Sequence, residues 1–224
     1  MIPKHENLLV YDVEVAIHPD RVKGKWEDPE GMGFASAVAY EYATDLYHLF
    51  LHNEGRLQLI ELLIDRTAIS FNGIHFDSRV VLGNDRIVSP EGVTYLGGHV
   101  KVAGEKQLRS RGWNNIDLLL AYVQTRYKLE SVAKAEKELG GPRVVHDGSF
   151  SLDGLAEGTL MLKKTGHGAH APALYQEQKF DELLAYNLND VRLTRKLFDF
   201  ARKYGYLVDR MGRSYRITLE MPVE

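Results

Sequence analysis

The chain has 224 residues, no cysteine and a net charge of −3 at neutral pH. The missing cysteines exclude disulfides, thiolate zinc sites and cysteine nucleophiles, and the length suits one domain with a sizeable core. The net charge excludes a generally basic nucleic-acid-binding protein. It leaves open a carboxylate site whose negative charge is offset by bound cations.

The hydropathy pattern predicts no membrane span, because the sequence has no run of 18 apolar residues. The first seven residues are polar and lack the features of a signal peptide. Together with the absence of cysteine, these features lead us to expect a cytoplasmic protein with no membrane partner.

The first part of the chain predicts strands before helices. Residues 8–17 are β-branched and almost continuously apolar, which is typical of a strand buried on both faces. A polar loop over residues 19–31 follows it. Five further elements are expected, in the order strand, strand, helix, strand and helix: 33–42, 45–51, 55–65, 66–71 and 75–82.

The second part of the chain predicts mainly helices. Residues 83–112 are rich in turn residues and are interpreted as a surface insertion or a β-hairpin. Four helices are then expected: 116–127, 131–139, 152–161 and 181–204. Residues 206–223 alternate in polarity and predict a terminal hairpin. This order indicates a single α/β domain over 1–224, with helices flanking a mixed sheet.

Two acids lie in the first predicted strand. Asp12 and Glu14 are two residues apart and therefore point to the same face of the sheet. Side by side on a buried strand, two carboxylates repel each other and lose hydration, and a metal ion would compensate for both effects. The alternative is a strand end exposed to water, where two acids cost little.

Two more segments carry acids at positions where an element would aim them inward. Asn72 and Asp77 follow a strand and open a helix, which also fits a helix cap and an acid favoured by the helix dipole. Tyr186 and Asp190 are four residues apart on a helix and share one face, which also fits a core tyrosine beside a solvated acid. One metal site explains all three segments together.

As a set, the segments 12–14, 71–77 and 186–190 resemble the three motifs of the DEDD superfamily of 3′–5′ exonucleases, which have a ribonuclease H-like fold. The Tyr-x-x-x-Asp spacing resembles the DEDDy branch. The second motif looks most like the exonuclease domain of family B DNA polymerases and related stand-alone exonucleases, to which residues 152–190 are also similar. Val15 stands where this family often has threonine or serine, and the chain is too short for a polymerase domain.

The resemblance implies a two-metal-ion mechanism with Mg²⁺ or Mn²⁺, two ions per active site. By this likeness Asp12 would bridge both ions, Glu14 and Asp190 would complete the shell of the first, and Asp77 would support the second. Tyr186 would orient the attacking water. The implied activity is stepwise release of nucleoside 5′-monophosphates from the 3′ end of single-stranded DNA.

Residues near the motifs are candidates for contact with substrate. Asn72 is expected to hydrogen-bond near the terminal nucleotide, and Phe71 or Phe76 to pack against a base, since aromatic faces accept any base. The alternative is that the phenylalanines belong to the core. Lys163 and Lys164 are expected near the phosphate backbone, or else on a solvated surface.

Two looser groups of residues have an ordinary surface role as their alternative. A basic cluster would track the phosphate backbone: Lys101, Lys106, Arg109 and Arg111. Three loop histidines are weaker candidates for metal ligands: His146, His167 and His170.

Other functions also fit these residues. The same catalytic set would serve an RNA 3′-end trimming exonuclease, because it does not report the identity of the sugar. A non-catalytic nucleic-acid-binding accessory subunit is a second alternative, although all four acids and the tyrosine are present. A hydrolase that uses paired carboxylates without a metal is a third. A proofreading role would require a separate polymerase, or a helicase, as partner.

Overall fold

The computed structural model describes residues 7–83, 86–88, 92–95, 111–127, 151–164 and 170–219. The strands in these ranges are β1 Leu8–Val15, β2 Phe34–Glu41, β3 Leu46–Leu51, β4 Thr67–Ser70, β5 Arg86–Val88, β6 Gly92–Tyr95, β7 Arg111–Asp117, β8 Tyr206–Val208 and β9 Ser214–Arg216. The α-helices are α1 Pro29–Met32, α2 His52–Leu63, α3 Asp77–Leu82, α4 Leu118–Tyr127, α5 Leu152–Leu160, α6 Ala171–Gln176 and α7 Phe180–Tyr204.

The main sheet contains parallel and antiparallel strands, in the order β3-β2-β1-β4-β7-β6-β5. Strand β1 is antiparallel to β2 and parallel to β4, and β4 is parallel to β7. The predicted α/β fold with a mixed sheet flanked by helices is therefore confirmed. Five strands of this sheet, in the order β3-β2-β1-β4-β7, have an arrangement compatible with a ribonuclease H-like fold.

Strand β1 is buried on both faces, as its apolar sequence predicted. Leu9, Tyr11 and Val13 face one core, which contains residues of α2 and α3. Leu8 and Val10 face the other core, which contains residues of α4, α5 and α7. The side chains alternate because successive residues of a strand point to opposite faces.

The long helix α7 covers the second of these cores. Its buried residues in this core recur at helical spacing, and they include Val191, Leu197, Phe198 and Ala201. The helix is capped by Gly205, whose φ of 75° is in the left-handed region that glycine adopts without strain. The predicted helix over 181–204 is confirmed to within one residue.

The region after residue 83 differs in part from the prediction. Strands β5 and β6 form an antiparallel hairpin, and β6 pairs with β7, so this hairpin extends the main sheet. The helix expected over 116–127 begins only at Leu118, because the preceding residues pair with β4 as strand β7. The helix expected over 131–139 lies outside the described residues.

The end of the described chain forms the predicted hairpin from the short strands β8 and β9. Among the described residues, no helix is both long enough and apolar enough to cross a membrane.

Candidate metal centre

Strand β1 and helix α7 together form a buried cluster of acids. Asp12, Glu14 and Asp190 each offer a carboxylate oxygen, and these three oxygens lie within 4.8 Å of one another. Glu14 is 7% exposed and Asp190 is 2% exposed, while Asp12 is half-buried. The two acids of the strand thus meet the acid of the helix on one face of the sheet.

Helix α7 contributes two more polar side chains to this cluster. Tyr186 lies one turn before Asp190 and is 9% exposed. Its hydroxyl is buried and makes no hydrogen bond of normal geometry. Asn187 is fully buried, and its Nδ2 donates a hydrogen bond of 2.7 Å to Oδ2 of Asp12. Asn187 was not among the predicted site residues, although its helical spacing from Asp190 (i, i+3) was a usable signal.

Asp77 approaches the cluster from α3, on the other side of β1. The recorded pairing of β1 with β4 ends at Val10 and Ile69, so β1 continues beyond its parallel neighbour. There the backbone N–H of Val13 donates to Oδ1 of Asp77 over 2.8 Å. Asp77 is buried, but it is not one of the three acids whose oxygens cluster within 4.8 Å.

Asp117, at the end of β7, holds the loop that leads to Asp77. Its carboxylate accepts hydrogen bonds from the backbone N–H of Asn72 at 2.9 Å and of Ile74 at 3.1 Å. It also accepts from the N–H groups of Leu119 and Leu120, in the first turn of α4. This role was not predicted, because the helix expected over 116–127 placed Asp117 inside the helix and not at its start. The signal was an acid between a strand and an apolar helical run.

The Asn72-Gly73 turn is tightly packed. Asn72 has a φ of 69°, in the left-handed region, which asparagine tolerates better than most residues. A Cβ atom on Gly73 would lie 2.3 Å from Oγ of Ser70, so only glycine fits without movement of the neighbouring strand. The turn directs the chain from β4 into α3 and so places Asp77 beside β1.

The candidate substrate contacts lie in different surroundings. Phe71 packs against the core beneath α7, whereas Phe76 packs against the opposite core. The Phe76 ring is also 6.0 Å from the ring of Trp26, which is 56% exposed. Asn72 is half-buried, with a buried Oδ1 that makes no hydrogen bond.

The two candidate lysines differ sharply. Lys163 is exposed, whereas the side chain of Lys164 is 21% exposed and its Nζ lies 2.5 Å from Oδ2 of Asp190. Of the looser groups, His170 is exposed and does not belong to the acid cluster. Only the backbone of Arg111 is described, as part of β7. The remaining members of these groups lie outside the described residues: Lys101, Lys106, Arg109, His146 and His167.

Burial and mutual repulsion make the cluster hold its protons tightly. Burial, followed by the charge of Asp77, raises the pKa of Asp12 well above its usual value. Burial and the charge of Asp190 do the same for Glu14. Burial raises the pKa of Asp77 to about 7, despite the hydrogen bond from Val13. The pKa of Asp190 is also raised by burial, which outweighs the opposing charge of Lys164.

These residues fit a divalent cation. The donors are carboxylate oxygens, which hard cations such as Mg²⁺ and Mn²⁺ prefer. Oδ1 of Asp190 is buried and makes no hydrogen bond of normal geometry, so a lone pair remains available for a ligand. A bound cation would also relieve the repulsion that raises the acids' pKa values.

No protein-family model matches the chain, and no curated protein matches it. What the site can do therefore follows from its own residues. Three acids, two of them buried and Asp12 half-buried, lie within reach of one ion, and a fourth acid and a tyrosine lie nearby, so the site could hold a divalent cation.

Proposed function

We propose that this chain is a metal-dependent 3′–5′ exonuclease that hydrolyses single-stranded DNA from its 3′ end and releases nucleoside 5′-monophosphates. One observation carries the proposal: the oxygens of Asp12, Glu14 and Asp190 lie within 4.8 Å of one another, in a mostly buried position. The resemblance of the three motif segments to DEDDy exonucleases supplies the reaction and the polarity.

In this proposal Asp12, Glu14 and Asp190 hold Mg²⁺ or Mn²⁺, and Asp77 supports a second ion. Bound divalent ions would lower the pKa of a water molecule and stabilise the charge that develops on the attacking and leaving oxygens. The protein keeps the ligands in place: β1 fixes Asp12 and Glu14 on one face, and the Val13 N–H fixes Asp77.

Tyr186 orients the attacking water instead of removing its proton. Burial, and then the charge of Asp190, raises the pKa of Tyr186 well above its usual value, so the phenol stays protonated at neutral pH. A neutral phenol donates a hydrogen bond but is a poor base. Its buried hydroxyl, which makes no hydrogen bond of normal geometry, has the capacity to do so.

The substrate contacts extend the proposal outward from the acids. Asn72 is proposed to contact the terminal nucleotide, because its buried Oδ1 makes no hydrogen bond. Phe76 is the better placed of the two phenylalanines for a base, since its ring lies beside the exposed Trp26. Phe71 is assigned mainly to the core. Lys164 contacts Asp190, and its neighbour in sequence, Lys163, is exposed; both are proposed to attract the phosphate backbone. A separate polymerase or helicase as partner, and the cytoplasm as location, remain predictions.

The direct test is digestion of a 5′-labelled single-stranded DNA oligonucleotide in Mg²⁺, in Mn²⁺ and in EDTA. We expect a ladder that shortens from the 3′ end only when a metal is present. Asp12→Ala and Asp190→Ala should each lower the rate by about 100-fold or more, the scale seen when one electrostatic group is removed from an active site. Asp181→Ala is the matched control, because Asp181 is an exposed acid at the start of the same helix.

Each alternative has its own result in this assay. Full metal-dependent activity in Asp12→Ala or Asp190→Ala would refute the assigned site. A matched RNA oligonucleotide that is cut while DNA is not would identify an RNA-trimming enzyme. Binding without cleavage of either would indicate an accessory role, and hydrolysis that persists in EDTA would indicate a carboxylate mechanism without a metal.

A further inference from the structure

Lys164 lies inside the acid cluster. Its Nζ is 2.5 Å from Oδ2 of Asp190 and 5.0 Å from the centre of the Tyr186 ring. Its charge also acts on Asp12 and Glu14, whose pKa values it lowers against the larger effect of burial. Burial lowers the pKa of Lys164, but the negative charges of Asp190 and Asp12 raise it by more. The pKa of Lys164 therefore lies above its usual value.

The chain around Lys164 is built to bring this ammonium inward. Helix α5 ends at Leu160, and the capping residue Met161 has a φ of 55°, which turns the backbone sharply. Three residues later the N–H of Lys164 donates to Oδ1 of Asp153, on α5, over 3.1 Å. The backbone is therefore anchored on one side, while the side chain reaches Asp190 on α7 on the other.

The net charge of the cluster suits a divalent ion, but Lys164 already contacts one of the carboxylates that would bind this ion. Once the three carboxylates are ionised, as binding a metal ion requires, they and the ammonium carry a net charge of −2, which one divalent cation neutralises. The carboxylate that Lys164 contacts is also one of the three that offer an oxygen to a metal ion. An ammonium and a metal ion on the same buried carboxylate repel each other strongly.

We propose that Lys164 is the built-in counter-ion of the metal-free site and that it competes with the divalent cation for Asp190. Metal binding displaces the ammonium from Oδ2 of Asp190, and removal of the metal lets it return. Lys164 thereby stabilises the empty site and weakens its affinity for the metal. This inference rests on the proposed metal site but not on the nuclease reaction.

The test uses Lys164→Gln in the full-length chain, with Lys163→Gln as matched control. Lys163 carries the same charge one residue away and is exposed. Titration calorimetry with MgCl₂ and with MnCl₂ should show Lys164→Gln binding the ion about 5- to 50-fold more tightly than wild type, within the usual range of coupling between two ligands of one site. Lys163→Gln should stay near the wild-type affinity.

Thermal unfolding gives a second readout that needs no activity. In EDTA, Lys164→Gln should unfold at least about 3 °C below wild type, because it leaves buried carboxylates without their cation. Saturating Mg²⁺ should remove or reverse this difference. If Lys164→Gln does not fold, Lys164→Arg keeps the charge and should retain both the stability in EDTA and the weak metal affinity.

The outcomes separate this inference from the proposed function. Suppose that the wild-type chain binds the ions. If Lys164→Gln then binds them with the wild-type affinity, or if Lys163→Gln gains as much affinity as Lys164→Gln, the proposed competition is wrong and the metal site is still supported. A wild-type chain that binds neither ion would overturn both.

Discussion

Asp190 and Asp209 are both almost fully buried, but their surroundings are opposite. Asp209 lies in the turn between β8 and β9, where two backbone N–H groups, the Arg213 guanidinium and the Tyr215 hydroxyl donate to its carboxylate. Asp190 shares one lysine with other acids, and its Oδ1 makes no hydrogen bond of normal geometry.

The pKa values follow this difference. Burial alone would raise the pKa of Asp209, but its hydrogen bonds, first among them that from the backbone of Arg213, outweigh burial and lower the pKa. At Asp190 the opposing charge of Lys164 is too weak, and burial raises the pKa. A buried acid that is fully hydrogen-bonded stabilises a fold. A buried acid left partly unpaired costs stability, and binding a ligand is a reason to keep it.

The largest expected effect on stability is at the satisfied acid. Asp209→Ala should destabilise the protein by about 2–4 kcal/mol, because it leaves several donors in the turn without their charged acceptor. Chemical denaturation measures this, with Asp181→Ala as an exposed control. The comparison predicts a smaller loss, or a gain, for Asp12→Asn in EDTA, since it removes one repelling charge. If Asp12→Asn lost more free energy of unfolding than Asp209→Ala, the expected difference between the two buried acids would be wrong.

The elements that carry the acids could be predicted because they depend on local periodicity. Asp12 and Glu14 share a face since a strand repeats every two residues, and Tyr186 and Asp190 share a face since a helix brings residues four apart together. The predicted strand and helix are both present in the structure. The resemblance of the three segments supplied the link between them, which spacing within one element does not contain.

The missed contacts depend on how elements pack, which local periodicity does not report. Asp117 is the last residue of β7, and only the pairing of β7 with β4 brings it to the Asn72 loop. Asn187 binds Asp12 across 175 positions of sequence. Lys164 reaches Asp190 because Met161 turns the chain in the left-handed conformation, a feature rare for a non-glycine residue.

The next effect concerns pH, and its sign is opposite at the two kinds of acid. The pKa of Asp77 in the folded protein is about 7, against a usual value of 3.8. The folded state therefore holds this proton more tightly than the unfolded state, and in EDTA its contribution to stability is lost as pH rises from about 4 to 7. Asp209 has a lowered pKa, so its contribution is lost only as pH falls below the usual range for an aspartate.

Denaturation in EDTA at several values between pH 4.5 and 7.5 measures this effect. In wild type, the free energy of unfolding should fall as pH rises through this range. Asp77→Asn should make this fall smaller by at least about 1 kcal/mol, because an asparagine can still accept the Val13 N–H but does not ionise. Saturating Mg²⁺ should flatten the wild-type profile as well. Identical profiles for wild type and Asp77→Asn in EDTA would show that Asp77 is not the group that titrates.

The smallest expected effect separates catalysis from stability at one hydroxyl. Tyr186→Phe should leave the melting temperature in EDTA unchanged or slightly higher, because the lost hydroxyl is buried without a hydrogen bond of normal geometry. Cleavage should slow by about 5-fold, the value of one neutral hydrogen bond to the attacking water. Tyr204→Phe, at the exposed end of the same helix, is the control and should change neither quantity. A fall in stability with full activity would make Tyr186 a structural residue, and the active site would then consist of the acids alone.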